Sequence, residues 1–483
     1  MKRTRLTERL GAREQVAAGE VLVATAVDHP ERGTVRCPAA PLIGGSLTRL
    51  GRTVRYGTLT ITSPQPSTAT VLATTYLDRH GAAWGIAAAV HPSDDELRQV
   101  VEEVLDRWSA VFRTRRLLTG ATPPACAGVR RTLALVDRAL TTSTGPVFML
   151  NPPPEIEPLL DGTNPRDVRA VGDLTGVPTG SVVVVPAAGA HPDLPRSASA
   201  RGLTLVDATC PFVAAARAEA DSRVAEGDRV VVAGRAGYAA YPGITAGLPV
   251  PPRLVESEAD VAALVLPESD PVSCVVQPGI AMSEVLPVVA ALRGRVPTLR
   301  GSHPDDFCYE ATDRSDLAHH LARHCDVVLI CGAPDAEDTA SLHRWVAGAG
   351  GEPVVLDAVE AIRPQWLVPG AVIGLLPSTS ARPSLAQDVI SALSGLGPLS
   401  VVRRLARSQA DGDPPADPLT GDPRPSTAPA RNPSGVPGEE GPRPRVPADR
   451  AAAPRQGRPA PGGFGRNPDA GSRPGTGATP ERP

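Results

Sequence analysis

The sequence predicts an α/β protein, and two features predict it. Between residues 118 and 407, short β-branched runs alternate with helical segments, the pattern of parallel sheets covered by helices. Within that stretch Cys126, Cys210 and Cys308 recur at intervals of 84 (210 minus 126) and 98 (308 minus 210) residues. Such spacing excludes a local metal loop and suits one thiolate delivered from each of three similar α/β modules to a common centre. Residues 1–117 read as a small N-terminal α/β region, and residues 408–483 as a tail.

In the N-terminal region, strand-like runs at Glu20–Val27, Thr53–Thr62 and Thr68–Leu77 precede a helix near Ser93–Arg113. Ser93 and Glu96 form an S-x-x-E capping box, and apolar residues recur at Leu97, Val100, Val101, Val104, Leu105 and Trp108. The following region carries strand runs at Val182–Val185, Leu203–Val206, Val230–Val232, Val327–Ile330, Val354–Leu356 and Val372–Leu376. Helical segments follow most of them, at Phe212–Val224, Thr312–Ala322, Asp338–Ala347 and Ser384–Leu393. Binding groups are then expected at the strand C-termini. The last 73 residues hold 18 Pro and 12 Gly and almost no aliphatic side chains, too little apolar surface to offset chain entropy, so disorder is expected there.

With 41% hydrophobic residues the chain has enough apolar material for a sizeable core, and a net charge of −3 gives no reason to expect nucleic acid or an anionic membrane as partner. Lys2 is the sole lysine, so the basic charge is almost all guanidinium. Seven cysteines without a tight framework fit a reducing compartment. The N-terminus lacks the apolar core of a signal peptide and no run of 18 apolar residues occurs, so the cytoplasm is expected.

Taken singly, each cysteine reads as a small buried hydrophobe. Setting separates three of them. Cys126 and Cys210 sit at strand-to-helix turns beside Gly or Pro, and Cys308 precedes a helix expected from Thr312. A helix N-terminus there favours thiolate. Cys37, Cys274, Cys325 and Cys331 lie in or beside apolar runs and read as core. Structural zinc sites bring ligands in close pairs, which are absent here. Three thiolates without a fourth suit a [4Fe–4S] cluster with one iron left open, a Lewis acid and electron outlet at one atom, as reductive removal of a hydroxyl group requires.

At these residues the chain resembles the 4-hydroxy-3-methylbut-2-enyl diphosphate reductase family, from about Leu117 to Leu393. ACAGVRR with the later GPV at Gly145–Val147, ARGLTLVDATCPFV and CYEATDR are similar to its three cysteine motifs. LDAVEAIRPQWL and VIGLLPSTSARPSLAQDVI are similar to its closing segments. The resemblance implies a trefoil of three α/β modules around a central [4Fe–4S] cluster held by Cys126, Cys210 and Cys308. It also implies a diphosphate substrate reduced to isopentenyl and dimethylallyl diphosphate in isoprenoid precursor synthesis, with ferredoxin or flavodoxin as electron donor.

The diphosphate-binding part departs from the family pattern. Ala188 stands where a histidine is expected, with His191 three residues on, and Glu155 stands at a second histidine position. In GRAGYAAYPGI, Arg235 and Tyr238 occupy two histidine positions and Ala240 that of a proton-relaying glutamate. The Ser/Asn-rich loop reads GAPDAEDT over Gly332–Thr339, and a QTT segment survives only as Gln277 before Pro278. Ser380 matches a substrate-contacting serine. Arg235 and Arg382, with Arg217 nearby, are the expected anion ligands, since guanidinium grips phosphate bidentately. Glu310, His303, Tyr238 and Tyr241 are the candidate proton donors. Two other functions fit the same residues: a [4Fe–4S] dehydroxylase acting on a different substrate, and a non-catalytic cluster-bearing redox sensor or binding protein.

Overall fold

The computed structural model describes residues 8–31, 33–62, 68–77, 81–121, 125–152, 156, 168–266, 271–302, 307–368 and 370–405. All of these belong to one compact unit. The expected disorder over residues 408–483, and the expectations for Glu155 and His303, lie outside the described residues.

The N-terminal region is a closed barrel. Its strands are β1 (Glu8–Ala12), β2 (Glu20–His29) and β3 (Gly33–Arg36), then, after helix α1 (Ala40–Arg49), β4 (Thr53–Thr62), β5 (Ala69–Leu77) and β6 (Ala83–Val90). They close in the order β1-β4-β2-β3-β6-β5, with β2 and β4 parallel and β5 and β6 antiparallel. Leu22, Val27, Val35, Leu59 and Val71 fill its inner core. Helix α2 (Asp95–Ala110) follows. Its N-cap is Asp94 rather than Ser93: the Asp94 carboxylate accepts from Leu97 N at 3.1 Å, while the Ser93 hydroxyl pairs with His91 Nδ1. A carboxylate is the stronger partner for the positive end of the helix.

Three parallel sheets then follow. Strand β7 (Arg115–Gly120) and helix α3 (Ala127–Thr142) precede a first sheet formed by β8 (Val147–Leu150), β9 (Val168–Val171), β10 (Val182–Val185) and, after α4 (Leu194–Ala200), β11 (Thr204–Asp207). Its order is β11-β10-β8-β9. Helix α5 (Pro211–Ala225) leads to a second sheet of β12 (Arg229–Ala233), β13 (Arg253–Val255), β14 (Val272–Val276) and β15 (Arg300–Gly301), ordered β13-β12-β14-β15. Helices α6 (Ala240–Thr245), α7 (Glu258–Ala263) and α8 (Met282–Arg295) connect those strands. Helix α9 (Glu310–His324) opens the third module, in which β16 (Val327–Cys331), α10 (Glu337–Gly348), β17 (Pro353–Leu356), β18 (Val372–Pro377), α11 (Leu385–Ser394) and β19 (Leu399–Arg404) succeed one another. Its sheet runs β17-β16-β18-β7-β19, so the first and last strands of the modules pair side by side, Leu117 opposite both Ile373 and Val401.

The fully apolar strands Val182–Val185 and Val327–Cys331 are central in their sheets, as strands covered on both faces must be. The barrel is not a detached appendage. Leu42, Ile43 and Leu47 of α1 and Val104 and Trp108 of α2 share one core with Leu117, Leu329, Ile373 and Leu393 of the third module. Helix α1 approaches the turn at Val359–Ala361 so closely that a Cβ on Gly45 would lie 2.2 Å from the Glu360 carbonyl oxygen. Arg49 donates to that same carbonyl and to Ile362 O. Among the described residues no helix is long and apolar enough to cross a membrane.

Candidate functional site

The three cysteines singled out by spacing line one cavity of about 170 Å³. Cys126 is the N-cap of α3, its Sγ accepting from Val129 N at 3.4 Å. Cys210 is the N-cap of α5, held there by its own N–H to Ala187 O at 2.9 Å. The VDATCP turn before it is shaped by Asp207, whose carboxylate accepts from the N–H and the hydroxyl of Thr209. Cys308 lies two residues ahead of α9, which begins at Glu310 rather than Thr312. Gly128, on the first turn of α3, leaves room beside Cys210: a Cβ there would stand 3.3 Å from its Sγ.

Helix N-termini do aim N–H groups at these sulfurs, yet they do not win at two of them. Burial is the largest influence on Cys210 and pushes its thiol up, against the N–H groups of Phe212 and Val213 and with the nearby Cys126 and Glu310 adding to the rise. Burial likewise pushes Cys308 up to about 12, with Glu310, Cys126 and Cys210 as charged neighbours. Left to the protein alone, Cys210 and Cys308 resist ionisation. Cys37, Cys274 and Cys331 are buried and Cys325 half-buried, and burial holds each up at about 12. Among the described residues no three His, Cys, Asp or Glu side chains converge tightly enough to hold a single metal ion.

The rest of the lining is mostly apolar. Ala187, Ala188, Ala239 and Ala240 form much of the wall, and the charged lining residues are Glu310, Asp338 and Arg314. Both Glu310 oxygens accept from Ala127 N, at 3.0 and 3.1 Å, and Arg130 lies 3.8 Å away. Asp338 is buried and saturated with donors: Thr339 N at 2.8 Å, Thr379 N at 2.6 Å, Ser380 N at 3.2 Å and the Thr379 hydroxyl. It fixes the turn that brings Thr379 to the cavity. Tyr238 and Trp345 complete the polar edge, the phenol 3.0 Å from Ser341 Oγ and the indole N–H donating to Glu284 at 2.6 Å.

The expected substrate contacts lie elsewhere. Arg235 is outside the lining because its Nε donates to Glu284 at 2.6 Å, and its backbone N–H donates to Gln277 Oε1 at 2.7 Å. Ser380 is buried behind the wall, its hydroxyl within 2.8 Å of Ser378 Oγ and 3.0 Å of Thr339 Oγ1. Arg382 is exposed and does not line the cavity, and Arg217 is held by Asp221 and Gly243 O. His191 is exposed beside Asp193, and Tyr241 bonds Pro252 O. Of the candidate proton donors among the described residues, Glu310 and Tyr238 line the cavity. Sequence reasoning missed Arg314, Asp338 and Trp345 as lining residues. The first sits on α9, six residues after Cys308, and its place in CYEATDR is the signal that would have found it.

Three parallel-sheet modules that each bring a cysteine to a shared cavity define a trefoil α/β protein with a sulfur-lined centre. The LytB protein family matches residues 118–394, and the chain belongs to that family. It is 36% identical over 283 residues to 4-hydroxy-3-methylbut-2-enyl diphosphate reductase 2 of Mycobacterium bovis, spanning 58% of this chain and 86% of that one. It is 32% identical over 286 residues to 4-hydroxy-3-methylbut-2-enyl diphosphate reductase of Burkholderia pseudomallei, spanning 59% and 91%. In fold it is similar to the E-1-hydroxy-2-methyl-but-2-enyl-4-diphosphate reductase of Plasmodium falciparum, with a TM-score of 0.55 at 20% identity over 60% of this chain and 93% of that one. The family match begins at residue 118, after the N-terminal barrel.

Proposed function

We propose that this chain reduces 4-hydroxy-3-methylbut-2-enyl diphosphate to isopentenyl and dimethylallyl diphosphate, removing the allylic hydroxyl with two electrons and two protons in the methylerythritol phosphate route to isoprenoid precursors. As a member of its family it is an iron–sulfur oxidoreductase. The observation that carries the reading is that Cys126, Cys210 and Cys308, so far apart in sequence, line one cavity.

We assign these three thiols as the ligands of a [4Fe–4S] cluster. Each would bind a separate iron, so they need not meet at a point as ligands of one ion do. The donor set is all sulfur, Gly128 keeps a side chain from crowding Cys210, and buried thiols that resist ionisation are matched by the positive charge iron brings. When bound, such a cluster supplies the electrons and an open iron as Lewis acid for the hydroxyl.

The protein's own residues do the rest. Glu310 ties the Cys308 segment to the start of α3 and so keeps two ligand turns in register. The alanine wall accommodates the apolar five-carbon chain beside the Trp345 ring, which Glu284 holds in place. Arg314 is the cation on the lining and is assigned to the diphosphate, in place of Arg235, Arg382 and Ser380. Ferredoxin or flavodoxin in the cytoplasm is the assigned electron donor. The test is anaerobic turnover of the diphosphate with dithionite-reduced methyl viologen: formation of both products supports the assignment, and a fully loaded protein that forms neither overturns it.

A further inference from the structure

The reaction needs a proton for the departing oxygen, and the glutamate position that would supply it carries Ala240. The lining narrows the choice. Arg314 does not release a proton near neutral pH. Asp338 accepts from four donors, and the Thr379 hydroxyl is one of them. Both Glu310 oxygens accept from Ala127 N, and the Trp345 indole donates to Glu284. Tyr238 remains, a phenol on the cavity wall.

Its hydroxyl pairs with Ser341, and either oxygen can be the donor. Arg344, which only donates, gives a hydrogen bond to Ser341 Oγ at 2.6 Å. Ser341 is buried, and its hydroxyl lies 3.0 Å from the Tyr238 oxygen, with the Arg344 hydrogen bond occupying one of its two lone pairs. If Ser341 donates to the phenol oxygen, the phenol hydrogen is released toward the cavity, and a phenolate formed there keeps one donor. We propose that Tyr238 protonates the departing hydroxyl and that Ser341 positions it; the proposal rests on the reaction assigned above. In the step the allylic C–O bond breaks, the oxygen takes the phenolic proton and leaves as water, and two electrons arrive one at a time from two equivalents of a one-electron carrier. A second proton, from solvent, adds to carbon, and the phenolate is reprotonated from solvent between turnovers. Burial, with Glu284, Asp338 and Glu337 nearby, pushes the phenol up to about 12, so it stays protonated until the oxygen leaves.

The experiment compares the anaerobically loaded wild type with Tyr238→Phe and Ser341→Ala, using the diphosphate and dithionite-reduced methyl viologen. Tyr238→Phe should keep wild-type iron and sulfide content and the wild-type change in the electron paramagnetic resonance spectrum on substrate addition. Its kcat should fall by about 10² to 10⁴ and its solvent isotope effect should change. Ser341→Ala should show a smaller fall, of about tenfold, with the same spectrum. A Tyr238→Phe kcat within twofold of wild type overturns the proposal, as does loss of the spectral response, which would make the phenol a binding group. A wild type that binds the diphosphate without turning it over contradicts the assigned reaction, and the role of Tyr238 falls with it; the two failures are read in different proteins.

Discussion

The Glu310 carboxylate accepts from the Ala127 N–H through both oxygens, at 3.0 and 3.1 Å, linking the residue two places after Cys308 to the residue immediately after Cys126. Two of the three cysteine turns are thereby fastened by one side chain. Glu310→Ala removes it and leaves the first turn of α3 short of an acceptor, a loss of about 1.5–3 kcal/mol for a charged hydrogen bond. The expected result is faster loss of iron to a chelator in the variant, with Glu310→Gln intermediate because its amide oxygen still accepts. Equal rates in all three proteins would make the link incidental.

Arg314 and Arg235 separate by kinetics. Arg314 lines the cavity, whereas Arg235 is paired with Glu284, which also receives the Trp345 indole. Arg314→Ala is expected to raise KM for the diphosphate by tenfold or more with a smaller change in kcat. Arg235→Ala is expected to act on stability instead, by about 1–3 kcal/mol, since it strips a partner from a half-buried carboxylate. Reversal of the two phenotypes in steady-state and thermal-melt measurements would place the anion site at Arg235.

The barrel and the third module share a core, so they are expected to unfold together. Gly45→Ala, whose Cβ would meet the Glu360 carbonyl oxygen at 2.2 Å, should cost about 1–3 kcal/mol and lower a single cooperative transition. A chain beginning at residue 118 should aggregate, having lost the first half of strand β7 with Leu117 and uncovered Leu329 and Ile373. Two separate transitions in calorimetry would show instead that the barrel folds by itself.

Acid sensitivity is expected from Asp228, buried just ahead of β12. Burial alone would raise its carboxyl, but hydrogen bonds from Ser273 and Arg300 outweigh it and the net shift is downward. A carboxyl held lower in the folded than in the unfolded chain adds stability that is complete above the unfolded value, about 3.9, and is lost as pH falls through the folded one. Urea midpoints of the wild type should therefore drop below about pH 4, and Asp228→Asn should be destabilised at neutral pH with a flatter acid limb. Parallel curves would assign the acid limb to other groups.

The sheets and the three cysteines were legible because each has a local signature: Val182–Val185 and Val327–Ile330 can only be covered strands, and Cys126 and Cys210 stand at helix starts. Three things were not. The N-cap of α2 turned on whether Ser93 or Asp94 faced Leu97 N, which depends on where His91 puts its ring. The fate of Arg235 depended on Glu284, a residue 49 positions away that no local pattern connects to it. The barrel closure rested on β2 meeting both β4 and β6, pairings of high sequence separation that hydrophobic alternation does not specify.

The central claim is that Cys126, Cys210 and Cys308 hold an iron–sulfur centre at which the diphosphate is reduced. The measurement that tests it most directly is iron and acid-labile sulfide analysis with electron paramagnetic resonance of the anaerobically purified protein, before and after addition of 4-hydroxy-3-methylbut-2-enyl diphosphate, in the wild type and Cys210→Ser. The account predicts about four iron and four sulfide per chain, a spectrum altered by the diphosphate, and loss of both in the variant. A wild type without iron, or a spectrum indifferent to the diphosphate, would contradict it.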